Sequence, residues 1–266
     1  MALVLRRRGV VWPIAAGSAT VAATVRSLME DSPVEPRSSQ TDRAPAVYGD
    51  ATLGLGRDGT LVRPISTAGL LGRVCFLVGV AIGFATLGAF VGADLSRGVA
   101  LGCSLGGLGM LLVASFGGER FRVGTFAIGW LYATALLIGM GMGPAMEYFA
   151  TQDRGALVQA AGGTALTVLA MGAIGLMLDK DLVGWMRPLS YAIFGLVGVS
   201  LVLLLVGGGG NPVISLAIYA ISALLLVVDF NVLRRHGTEN DAVILATGIF
   251  VSIVNIFLSL LNLFGD

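Results

Sequence analysis

Residues 221–264 read ISALLLVVDFNVLRRHGTENDAVILATGIFVSIVNIFLSLLNLF: two apolar runs around a short charged loop, with one carboxylate, Asp229, inside the first run. Each run is close to the ~20 residues that a helix needs to cross ~30 Å of hydrocarbon. An ionisable side chain in such a segment is costly, and it faces a bundle interior or an aqueous cavity when it is retained. Asp229 is therefore the first candidate functional residue. It precedes Arg234 by about 7 Å of helix rise. Snorkelling to the loop and pairing there is the plainer alternative, although a short Asp side chain snorkels less well than Lys or Arg.

The whole chain fits this reading. Of its 266 residues 56% are hydrophobic and only 12% are charged, about half the charge of a soluble domain. A net charge of +1 and the lack of a basic stripe with interleaved aromatics give no argument for nucleic acid. Cys75 and Cys103, both inside apolar runs, read as small core residues rather than as a disulfide or metal framework.

Going back to the start, Arg6-Arg7-Arg8 and a mildly apolar run open the chain. Pro13, Gly17, Ser18 and Thr20 weaken it as a signal peptide, so a cytosolic tail is the preferred account. From about Asp31 to Thr60 the composition is rich in Pro, Ser, Arg, Asp and Gly, and disorder is expected. The division is thus a largely disordered tail over 1–68 and a transmembrane domain over 69–266.

Seven apolar runs follow the tail: Leu70–Val91, Val99–Phe116, Val123–Met146, Ala156–Leu178, Val183–Val206, Val213–Leu233 and Ala242–Phe264. The loops after the even-numbered runs carry Arg120 and Arg122, Lys180 and Arg187, and Arg234 and Arg235. The positive-inside rule then expects a cytosolic N-terminus and an external C-terminus. Glycines spaced by four (Gly79/Gly83, Gly88/Gly92, Gly98/Gly102/Gly106, Gly139/Gly143) are candidates for close helix contact. Glycine is also simply common in such segments, which accounts for about half of the pairs.

No catalytic constellation is found, so the chain reads as no enzyme. His236, the one histidine, reads as a solvated loop residue. The last run carries a polar stripe of Ser252, Asn255, Ser259 and Asn262, at helical spacings that put all four on one face. That face is expected to look toward other helices.

These features together resemble the Bax inhibitor family of membrane proteins in a bacterial form, over about Leu70 to Asp266. The resemblance rests on LLLVVDFN around Asp229, IFVSIVNIF with Asn255 and Phe257, GMGMGP at Gly139–Pro144, and DKDL at Asp179–Leu182. It implies an all-α membrane protein with seven transmembrane helices, the last one central in the bundle, in a bacterial inner membrane. It also implies a calcium or cation leak channel in which two aspartates share a proton and an arginine latches the closed form. Carried over residue by residue, Asp229 matches the first aspartate, Ser252 stands at the second, and Arg120 is the candidate arginine. Gate and ion-pathway candidates are accordingly Asp229, Arg120, Ser252 and Asn255, with Asp229 as a weak Ca2+ ligand, no other cofactor, and weakened pH sensing. A non-transporting regulator, partnered by other membrane proteins such as a membrane protease, is the alternative.

Overall fold

Seven α-helices form where the apolar runs lie: α1 (Thr67–Val91), α2 (Arg97–Phe116), α3 (Thr125–Gln152), α4 (Arg154–Met177), α5 (Val183–Leu205), α6 (Pro212–His236) and α7 (Ala242–Phe264). This computed structural model describes residues 54–55, 61–62, 67–205 and 211–265. The expected tail lies outside the described residues except for the start of α1 and a short antiparallel ladder, β1 (Gly54–Leu55) with β2 (Leu61–Val62). That ladder falls in and beside the stretch for which no structure was expected. Among the described residues, α1, α2, α3, α4, α6 and α7 are each long and apolar enough to cross a membrane.

Local chemistry sets the helix ends. Asn211 begins α6 by accepting from the Val213 N–H at 3.0 Å, and Pro212 takes the first helical position, where its missing N–H costs nothing. Arg234, Arg235 and His236 fill the last turn, where a helix dipole favours cations. Thr238 and Asp241 form a capping box in the 3-10 turn Glu239–Asp241 that leads into α7.

Packing divides the bundle. α1, α3, α4, α6 and α7 share one core, which includes Val74, Leu131, Ala160, Leu226, Phe250 and Ile256. α2 leans chiefly on α3, and α5 on α6 through Ile193 against Ile218 and Leu225. α7 packs against α1, α4 and α6, and it has no exposed residue before Phe264. It is the enclosed helix, as the sequence led one to expect. Large apolar side chains such as Phe76, Phe90, Leu166, Leu169 and Met177 are exposed on the outer helices. An apolar surface of that extent suits lipid rather than water.

The glycine spacings split into two groups. Gly88 of α1 and Gly92, just past its end, lie against the backbone of Leu136 and Met140, and Gly139 and Gly143 of α3 lie against that of Ala85 and Gly92. A Cβ at any of these four would fall on main-chain atoms of the other helix. By contrast Gly79, Gly83, Gly98, Gly102 and Gly106 face open space. The partners rise together along α1 and α3, so these two helices run parallel.

Candidate functional site

Asp229 lies on α6, 4% exposed, and it is the one buried ionisable side chain among the described residues. Its carboxylate faces α7 at Gly248, where a built Cβ would come within 3.1 Å of Oδ2. Glycine at this position leaves room for the carboxylate between the helices. No hydrogen bond or ion pair to Asp229 is present among the described residues.

Asp229 is buried, as the preferred reading expects, and pairs with neither Arg234 nor Arg120. Arg234 donates to the Leu176 carbonyl and pairs with Asp179 at 3.1 Å. Arg120 is exposed on a 3-10 turn, Glu119–Phe121, between α2 and α3. That turn is held at its own corner by Phe121, packed edge-on against Phe126 and Trp130, and it packs chiefly on α3. The expected Asp229–Arg120 pair is therefore not formed.

Ser252 and Asn255 do lie on the enclosed helix. Ser252 is 2% exposed and one turn beyond Gly248, while Asn255 is half-buried. Ser259 is buried, and Asn262 accepts a 2.9 Å hydrogen bond from the Ser215 hydroxyl of α6. The polar stripe thus faces the interior, as expected. Among the described residues no three His, Cys, Asp or Glu side chains group as a metal site. Asp229 would offer a cation one carboxylate and otherwise neutral oxygens.

A second constellation, beside Asp229 toward the end of α6, was not legible as a site. Asn231 is wholly buried. Its amide donates to the Leu178 carbonyl at 3.0 Å and the Gly175 carbonyl at 3.4 Å, and its Oδ1 accepts from the Leu182 N–H at 3.1 Å. These are backbone groups at the end of α4 and the approach to α5 that lack a helical partner. Arg235 donates to the Asp179 carbonyl. His236 is the last residue of α6 rather than a free loop residue, with Nε2 2.9 Å from Asp181. The Val183 N–H and then the His236 ring hold the Asp181 carboxyl below its ordinary range. The polar amide two residues after Asp229 was the available signal for this clasp.

The family described as "Inhibitor of apoptosis-promoting Bax1" matches residues 67–266. The chain belongs to the Bax inhibitor family. An uncharacterized membrane protein of Vibrio cholerae serotype O1 is 27% identical over 217 residues, covering 79% of this chain and 94% of the relative. Uncharacterized membrane proteins of Streptococcus pyogenes, serotype M3 among them, are 31% identical over 115 residues, or 40% of this chain and 50% of theirs. In this Bax inhibitor family member the match begins where α1 begins and leaves the tail outside. With its apolar helices and bacterial membrane-protein relatives, the chain is a multi-pass integral membrane protein.

Proposed function

We propose that this chain is a cation leak channel, calcium among its ions, with its gate at Asp229 on the seam between α6 and α7. The observation that carries the reading is a buried carboxylate with no cationic partner, lodged against a glycine of the enclosed helix. Burying a charge without a partner costs several kcal/mol, roughly, and is retained in membrane helices where ions or protons pass. Ser252, one turn beyond Gly248, and Asn255, two turns beyond it, supply neutral oxygens along the same helix. One carboxylate among neutral oxygens is a poor calcium cage, which suits passage better than storage. In this reading α5 is the seventh span, the N-terminus is cytosolic, the C-terminus is external, and the membrane is the bacterial inner one. The basic loops at Arg120, Lys180 and Arg234 would then lie on the cytosolic side.

Purified full-length protein in liposomes, loaded with a calcium indicator, tests the reading. We expect a calcium leak that falls about tenfold in Asp229→Asn, because the amide keeps the shape and loses the charge that attracts the ion. Ser252→Asp should steepen the pH dependence of the leak between about pH 5 and 8 by creating a proton-sharing pair. A second reading, a regulator of other membrane proteins without flux, is favoured by the lone carboxylate and the absence of a ligand cluster among the described residues. No flux in parent or variants would leave that reading standing.

A further inference from the structure

The α6–α7 seam has a register that two contacts fix independently. Ser215 bonds to Asn262, and the Asp229 carboxylate faces Gly248. Between these contacts α6 advances fourteen residues while α7 retreats fourteen, so the helices run antiparallel with one constant register. Midway, seven residues from each contact on both helices, that register sets Ser222 at the level of Asn255. Two turns of helix bring a side chain back to nearly the same face, with a drift of about 20°. Three polar levels therefore stack along the seam, about 10 Å apart by helix rise.

The middle level has an independent peculiarity. Ser222 is 0% exposed, and its hydroxyl is the one sealed side-chain polar atom among the described residues that has no hydrogen-bond partner. Asn255 across the seam makes no hydrogen bond among the described residues. The buried threonines bond back to their own helix carbonyls, as Thr134 does to Trp130 at 2.8 Å and Thr164 to Ala160 at 2.7 Å. Ser222 does not. Leaving it unsatisfied costs about 1–3 kcal/mol, and an amide opposite a hydroxyl offers a water two to four partners.

We infer that Ser222 and Asn255 form a buried water site, a relay between Asp229 and the Ser215–Asn262 end of the seam. The relay role rests on the leak reading; the water site does not. Water is the fitting ligand because both side chains are neutral, each both donates and accepts, and no carboxylate stands at this level. Hydration here would give the Asp229 carboxylate a polar route of about 20 Å along α6 toward the far end of the bundle.

Water-edited solid-state NMR of the full chain in liposomes tests the site directly. The Asn255 side-chain amide should receive magnetisation from water, while Leu226, buried one turn beyond Ser222, should not. Ser222→Ala should weaken the transfer at Asn255. A dry Asn255 amide overturns the inference. In the flux assay, Asn255→Leu and Ser222→Ala should each lower the leak about tenfold, the effect of losing one bridged hydrogen bond along the route. Their melting temperatures should stay near the parent's, and Ser222→Ala carries the arm alone if Asn255→Leu does not fold. Variants that leak like the parent overturn the relay. A hydrated seam in a protein without flux refutes the leak reading and upholds the water site; flux through a dry seam does the reverse.

Discussion

The α1–α3 crossing and the α6–α7 seam are both intimate helix contacts, made by opposite means. At the crossing, four glycines let main chains touch, and no polar side chain is set between the helices at those points. At the seam, Gly248 makes room for a carboxylate, Ser215 bonds to Asn262, and Ser222 is sealed without a partner. Lipid offers no hydrophobic drive for helix association, so close van der Waals packing has to hold the crossing. The seam keeps groups that packing alone would not retain. One contact is therefore held by main-chain packing, and the other keeps polar groups between its helices.

The largest expected effect breaks the joint. Gly139→Ala sets a methyl on the Ala85 backbone, which cannot rotate away, and should cost about 3 kcal/mol or more. Gly102→Ala, facing open space on α2, should be neutral or stabilising by up to about 1 kcal/mol. Thermal unfolding in one detergent compares the two. Equal melting temperatures would refute the assignment of the crossing.

Next comes the clasp beside the seam. Asn231→Leu leaves the Leu178 carbonyl and the Leu182 N–H without their bonds, and should cost about 2–3 kcal/mol. Faster hydrogen exchange should be confined to residues 176–183 and the end of α6. Exchange spread evenly over the bundle would mean that Asn231 does not act through that loop.

Asp229→Asn should leave stability within about 1 kcal/mol of the parent, or raise it, because no ion pair is broken. A loss of about 3 kcal/mol or more would reveal a cationic partner that this conformation does not contain. Stability and flux would then separate here, in contrast to the α1–α3 crossing.

The smallest effect is at the rim, where Asp181 meets His236. Asp181 titrates below its unfolded range, so its contribution is complete above the ordinary carboxylate value of 3.8 and is lost as pH falls through the lowered folded value. Asp181→Asn should remove that acid-side change in the exchange of the loop and leave the remaining helices unaltered. An unchanged acid response would place the titration elsewhere.

The seven apolar runs became seven helices almost end for end, because length and apolarity are local properties that a bilayer reads directly. Even the stripe on α7 was legible, since Ser252, Asn255, Ser259 and Asn262 share a face whatever lies opposite. What lies opposite was not. Gly79/Gly83 and Gly88/Gly92 have the same spacing along α1 and its end, yet only the second pair meets α3. Ser222 drew no notice until the register of α6 against α7 set it across from Asn255. Arg120 was matched by position and forms no pair with Asp229, while the unremarked Asn231 closes a loop. Sequence determined which segments form apolar helices and which faces are polar; tertiary structure alone decided the partners, because a helix face meets its neighbour through side chains distant in the chain.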